Sequence, residues 1–546
     1  MAELSTSAAR ALWSNFRRRG LHLRQRWTTY LLWGFNLLVA GIILLPILYL
    51  LIRLIAADTQ PWNAVFRTTT LITMWNTLIL AVTVTTASAL LAIPLAWLTV
   101  RSDLPFRRVW SVLVVLPLVI PSYVGAYLMT ASLGTRGIVS QWISALFGIE
   151  TIPPIYGFAG AAYVLTMLSY PLVVLSVRSS LQGIDPTLEE ASRSLGSTAW
   201  ESFRRVILPQ LRPGISAGCL LVALYVLRDF GAVSIMRYNT FTRVIYIQYQ
   251  ATFNREAAAA LALILIAITV AILIFELRAQ RGSRGRLDSQ APGTSRPRPV
   301  THLGIWRWPA LMFTGTIVLL ALVIPSAVLG YWLLRGMLVG ERIAPIWSAA
   351  WNSLSISFLA AVLILLVSLP IAYTNVRRPG GLSRLIERVA YLGYALPGVV
   401  VALALVFFAA NFAAPIYQSA VTLLVAYTVL FLPQAIGAVK TSIIQVHPRL
   451  EEAGRGLGRR PWSVFRTITL PLLRPGVLAA IGLVFLTAMK ELPATLILSP
   501  YDFSTLATEV WSTVSEAFFA RAAAPALLLI LLSSVPMAIL LFRDRS

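Results

Sequence analysis

About twelve times along the chain, some twenty consecutive residues are mostly apolar. In the first half these runs lie near 30–54, 71–100, 110–132, 155–178, 214–235 and 257–277. In the second half they lie near 305–334, 350–376, 389–411, 414–439, 475–497 and 519–542. A helix rises about 1.5 Å per residue, so roughly 20 residues cross a hydrocarbon layer of about 30 Å. In lipid each backbone polar group must be satisfied within its own segment, so such runs fold as helices. Several contain proline (Pro94, Pro121, Pro171, Pro370, Pro397, Pro433). Membrane helices tolerate it where neighbours re-satisfy the freed groups. The expected fold is all-α, with about twelve membrane helices.

Composition agrees. Residues are 58% hydrophobic and only 12% charged, where soluble proteins carry about 25% charged. This excludes a soluble enzyme, a disordered chain, a collagen and a disulfide scaffold. With one cysteine, Cys219, the chain cannot form an internal disulfide. A net charge of +24 would ordinarily raise nucleic acid as a partner. Its distribution argues otherwise. If both termini share one side, the loops there hold 34 Lys and Arg, and the other side holds 9. The positive-inside bias then places the N- and C-termini of a multi-pass membrane protein in the cytoplasm. The first apolar run, about 25 residues long after an arm of 29, reads as an anchor and not a cleavable signal.

The sequence also repeats itself. Residues 186–214 read PTLEEASRSLGSTAWESFRRVILPQLRPG, and 448–476 read PRLEEAGRGLGRRPWSVFRTITLPLLRPG, with 17 of 29 positions identical at an offset of 262. The flanks pair Pro171 with Pro433, Arg228 with Lys490 and Asp229 with Glu491. Upstream the offset is 276, pairing Asn76 with Asn352, Pro94 with Pro370 and Pro121 with Pro397, so the first half carries about 14 extra residues between 131 and 169. Six spans per half make the two halves parallel. The expected organisation is a cytoplasmic basic arm (1–29), a first half (30–278, core about 70–278), a cytoplasmic Gly/Ser/Pro/Arg linker (279–304) and a second half (305–546, core about 349–543).

Each repeated loop is polar and basic. Asp185-Pro186 reads as an N-cap followed by proline at the first helical position. Glu189 and Glu190 fall in the first turn, where the helix dipole favours them. Glu189 to Arg193, and Glu451 to Arg455, have the spacing of i,i+4 ion pairs. Gly196 and Gly458 should end that helix, and a short amphipathic stretch follows (Trp200, Phe203; Trp462, Phe465). A loop that merely orients the chain has no need of two glycines and three prolines kept in register, so docking of a cytoplasmic partner is expected.

EEASRSLG…VILP (189–209) and EEAGRGLG…ITLP (451–471) resemble the E-A-A-x-x-x-G-(x)9-I-x-L-P loop of the permeases of ATP-binding-cassette importers, type I. Ser192 and Gly454 replace the motif's second alanine, and Val206 its isoleucine. The resemblance implies two coupling helices, each inserting into one of two cytoplasmic ABC ATPase subunits. Glu189, Glu190, Ala191 and Gly196, with Glu451, Glu452, Ala453 and Gly458, would carry that contact, Glu190 and Glu452 being the motif glutamates. It further implies a periplasmic solute-binding protein as the other partner, and ATP-Mg bound on the ATPases. The chain itself has no G-x-x-x-x-G-K-[ST] loop, and its histidines (His22, His302, His447) are scattered. The expectation is a pore subunit in membrane lipid, with no catalytic or metal site, no cofactor of its own and no nucleic-acid partner.

Arg228-Asp229 and Lys490-Glu491 fall inside spans, roughly 20 Å from the Pro-Gly that starts each. Such charges face a bundle interior or a wet cavity. The readings that stand are a pore or outer-gate cluster between the halves, ion pairs that fix helix packing, or an interfacial position where the charges snorkel. Stretches 227–249 and 489–511 look like fused permeases of ferric iron uptake, although fused permeases for thiamine, phosphonate and polyamine exist. Tyr238, Tyr246 and Tyr249 are candidate phenolate ligands, with a binding-protein contact or an aromatic interface belt at least as well supported. An ion-coupled secondary transporter also suits twelve spans, but has no use for two near-identical docking loops.

Overall fold

The computed structural model describes residues 30–52, 54–55, 67–134, isolated positions from 137 to 148, 155–251, 255–284, 300–340 and 346–543. The basic arm and most of the linker lie outside them. Among the described residues the fold is helical, with one isolated bridge, Ser102 to Thr301.

The first half runs α1 (Tyr30–Ile52), α2 (Thr68–Arg101), α3 (Arg107–Val119), α4 (Ser122–Leu133), α5 (Phe158–Gly183), α6 (Pro186–Ser194), α7 (Ala199–Arg228), α8 (Gly231–Ile235), α9 (Phe241–Gln250) and α10 (Arg255–Arg284). The second repeats it as α11 (Gly304–Leu338), α12 (Ile346–Arg377), α13 (Gly381–Ala395), α14 (Gly398–Phe412), α15 (Ala420–Gln445), α16 (Pro448–Gly456), α17 (Pro461–Leu472), α18 (Arg474–Met489), α19 (Pro493–Leu498), α20 (Leu506–Ser515) and α21 (Phe519–Arg543). Nine described helices are long and apolar enough to cross a membrane, or up to twelve if each of three bent pairs is one span.

The bent pairs show that not every apolar run is one continuous helix. The runs near 110–132 and 389–411 each break at a sharp corner, α3 to α4 by 94° and α13 to α14 by 108°. Pro121 and Pro397 sit at the corners in extended backbone, ψ 149° and 144°. Proline has no N–H and forces the residue before it out of the helical region; Ile120 and Leu396 accordingly both have ψ 120°. Pro94, Pro171, Pro370 and Pro433 lie inside unbroken helices. The runs 214–235 and 475–497 are also interrupted, because α7 ends at Arg228 and α18 at Met489.

Each half is pinned at both ends of its long first core helix. Near the start of α2, Asn76 Nδ2 donates to Asn239 O at 3.2 Å, and the Thr77 hydroxyl accepts from Phe241 N at 3.1 Å. In the second half Asn352 Nδ2 donates to Ser504 O at 3.0 Å, and Ser353 accepts from Leu506 N at 2.8 Å. The repeated asparagine therefore holds the segment leading into α9 or α20. About 24 residues and ~36 Å further along α2, Arg101 pairs with Glu189 of α6. The repeated loops and the α9/α20 layer thus occupy opposite ends of the bundle.

The halves embrace. Tyr49 of α1 donates to Phe407 O in α14 at 3.3 Å, and Trp332 of α11 reaches Ala131 O in α4 at 3.4 Å. Ala131 and Phe407 are equivalent at the 276 offset, so each half's leading helix packs on the other half. α9 packs on α14 and α20 on α4. The second half also starts from the first. Thr301 N donates to Arg101 O at 2.8 Å and Leu303 N to Asp103 Oδ1 at 2.9 Å. That backbone N–H holds the Asp103 carboxyl below its ordinary range.

Candidate functional site

The two loops have the expected local form. Asp185 accepts from Thr187 N at 3.0 Å, and in the second copy His447 Nδ1 accepts from Arg449 N at 3.2 Å. Pro186 and Pro448 begin the helices. Gly196 and Gly458 end them with φ 87° and 79°, where an L side chain is strained. Ser197 N donates back to Ser192 O, and Arg459 N to Gly454 O, each at 3.2 Å. These 6→1 bonds close the same C-terminal turn twice. Thr198 and Glu201 form a capping box that opens α7.

Beyond the turn, each half inserts one wide helical turn, Phe203–Ile207 and Phe465–Thr469. Pro209 and Pro471 cannot donate to the carbonyl four residues back. The ladder slips by one, so that Leu208 N bonds Phe203 O and Leu470 N bonds Phe465 O.

The consecutive glutamates divide. Glu189 and Glu451 turn inward. Glu451 is buried and accepts from Arg377 Nε and Nη2 (3.3 and 3.2 Å), Tyr373 (3.2 Å), Thr469 (3.3 Å) and Arg455 (3.3 Å). The Glu451–Arg455 pair is the i,i+4 pair read from the sequence. Glu189 differs: its ion pair is to Arg101 at 3.4 Å and not to Arg193. Arg101 and Arg377 are equivalent, but Trp97 and Ile207 stand where Tyr373 and Thr469 do, so the first copy lacks both hydroxyls. Glu190 and Glu452 turn outward, exposed, beside Ala191 and Ala453. Leu195 and Leu457 are 86% and 83% exposed, and Trp200 and Trp462 are 68% and 72% exposed. Equivalent large apolar groups left open on both copies mark an interaction surface.

At the opposite end of α7 and α18, the charged pairs sit at helix breaks and not within continuous helices. Asp229 Oδ2 accepts from Ala232 N (3.0 Å) and Val233 N (3.2 Å), and so caps α8. Glu491 Oε1 accepts from Ala494 N at 3.3 Å and caps α19. The carboxylates thus satisfy the N–H groups that a new helix leaves open. Their neighbours compensate for size. Ser122 lies within hydroxyl reach of Asp229. Its equivalent is Gly398, where a Cβ would stand 2.3 Å from Glu491 Oε1. The cations cross between halves. Lys490 Nζ donates to Leu118 O of the first half at 2.9 Å, and Arg228 stands within electrostatic range of Glu491 and Tyr394 of the second. The two members of each pair have different partners. Beside them Phe230 packs on Trp511 across the halves (5.1 Å between centroids) and on Tyr246 (4.7 Å).

The three tyrosines do not converge. Tyr238 packs on Phe158 and donates to Asn76 O, Tyr246 packs on Phe230, and Tyr249 on Phe407. Among the described residues, no group of three or more His, Cys, Asp or Glu is placed to hold a metal ion.

A duplicated bundle with paired loops at one end has a direct counterpart among known families. The sequence matches the binding-protein-dependent transport system inner membrane component over residues 88–284 and again over 364–546. The chain belongs to that family. It is a fused permease of an ATP-binding-cassette importer, a transport pore subunit and not an enzyme. Over its length it is 36% identical to the Fe(3+)-transport system permease protein FbpB 2 of Haemophilus influenzae, covering 94% of this chain and 97% of that one. It is 26% identical to the ferric transport system permease protein FbpB of Actinobacillus pleuropneumoniae, over 86% of this chain and 70% of that one. A stretch of 162 residues is 34% identical to the molybdenum transport system permease protein ModB of Escherichia coli, 29% of this permease and 69% of that one.

Sequence reasoning missed the arginines Arg101 and Arg377 that hold the loops, although they stand in register at the 276 offset. It also missed Phe230 and Trp511, whose contact joins residues 281 positions apart and leaves no local signal.

Proposed function

We propose that this permease forms the pathway for ferric iron delivered by a periplasmic binding protein. The carrying observation is whole-length similarity to a permease named for Fe(3+) transport. Two cytoplasmic ATPases bind the loops. Leu195, Trp200 and Glu190 face one, and Leu457, Trp462 and Glu452 the other. The termini lie in the cytoplasm with the loops, as the Lys/Arg bias indicates. Glu189–Arg101 and Glu451–Arg377 carry ATPase movement into α2 and α12. Those helices are pinned at their far ends to the segments before α9 and α20. Closing the ATPases therefore pulls on the layer that contains the charged breaks and the Phe230–Trp511 contact, the groups we assign to the gate. ATP-Mg stays on the ATPases. The test is a binding assay on the partner periplasmic protein with ferric iron, thiamine and phosphonate. Tight binding of iron alone supports the reading, and selective binding of another solute replaces it.

A further inference from the structure

At the end of the bundle away from the loops, a cavity of about 340 Å³ opens between the halves. Thr130, Tyr156, Ser234, Arg237 and Arg243 line it from the first half, and Trp511, Ser515 and Phe519 from the second. Its charge is one-sided. Arg237 lies over the Tyr156 ring at 5.2 Å, and Arg243 is bonded to the neutral amide oxygen of Asn239. The two guanidiniums are within electrostatic range of each other. Among the described residues that line the cavity there is no carboxylate. Two like charges within range of each other, with Arg243 half-buried and Arg237 exposed, favour a counter-ion. The Ser234 hydroxyl, buried and without a hydrogen-bond partner among the described residues, lines the same space.

The pseudo-twofold argues against a role for the arginines in the scaffold that the two halves share. Arg237 has φ 54°, and its counterpart Asp502 has φ 58°. The strained turn is duplicated, but the charge is not. Arg243 is likewise matched by Thr508, which caps α20. The turn therefore forms without an arginine at either position.

We propose that this cavity is a binding site for a small oxyanion of the phosphate, sulfate or carboxylate class, held by the forks of Arg237 and Arg243 with Ser234 as a further donor. Guanidinium forks match such oxygens bidentately. The site rests on the permease assignment and stands whatever the cargo. If the cargo is ferric iron, two guanidiniums repel the bare trivalent ion and admit it only with its charge covered by oxyanion ligands.

The test uses the full-length permease with its ATPases in nanodiscs of zwitterionic lipid. The probe is radiolabelled inorganic phosphate, with the isolated binding protein as a second titrant. The expected result is saturable phosphate binding, weakened at least tenfold in R237Q/R243Q and largely kept in R237K/R243K. The Lys variant separates lost charge from lost fold. Absent saturable binding, or equal binding by the Gln variant, overturns the site. So does a Gln variant that binds phosphate normally and loses only the binding protein, since the arginines would then dock a partner's carboxylates. None of these outcomes depends on the iron assay above, so the two readings fail separately.

Discussion

Ser122 and Gly398 occupy the same place in the two halves, under carboxylates that differ by one methylene. Asp229 sits by a hydroxymethyl and Glu491 by a bare Cα, so the pair keeps a constant volume. Gly398→Ser should overfill the site and cost about 1–3 kcal/mol. Gly398→Ser with Glu491→Asp, which copies the first half, should recover most of it. Thermal unfolding in detergent checks this, and two additive losses would show that the residues do not share one space. Glu451 is the corresponding case at the loops. Removing its charge leaves Arg377 facing a neutral group in a buried site, and breaking such pairs costs about 3–5 kcal/mol. Glu451→Gln should therefore lower the melting temperature more than Glu189→Gln, because Glu189 lacks the Tyr373 and Thr469 hydroxyl partners. Equal shifts would mean that those hydroxyls contribute nothing.

The elements show which rules act locally. The Asp185 cap, the proline after it and the glycine turn were legible because each depends on residues within one turn of helix. The partner of Glu189 was not, because Arg101 lies 88 residues away and outcompetes the nearby Arg193. The six prolines could not be told apart either. Pro121 and Pro397 make corners, whereas the other four ride inside helices, and that choice belongs to the packing around them. At the turn itself, Gly196→Asp with Gly458→Asp strains two left-handed positions that have open space around them. It should abolish transport and weaken ATPase co-purification. Leu195→Asp with Leu457→Asp should do the same with no change in melting temperature, since both leucines are already exposed. ATPase pull-down and unfolding measured on the same samples distinguish the two effects, and undiminished pull-down in both would remove the loops from the docking surface.

For the whole molecule, the duplication, the helical class and the number of spans were written in the pattern of apolar runs and the offset repeat. How the halves grip each other was not. Exchange of α1 and α11 between halves, the Phe230–Trp511 contact and the cross-half reach of Lys490 join residues hundreds of positions apart, where no periodicity can signal them. Charge asymmetry carries the remaining large claim, the direction of insertion. A cysteine at position 290, in a background lacking Cys219, should react with an impermeant reagent only from the cytoplasmic side. The most direct measurement of the account is solute uptake into proteoliposomes holding this permease, with ATPases and binding protein added in turn. Ferric iron accumulation should require ATP, both ATPases and the loaded binding protein, and should vanish in the Leu195→Asp/Leu457→Asp permease. Uptake by the permease alone, driven by a proton or sodium gradient, would contradict it.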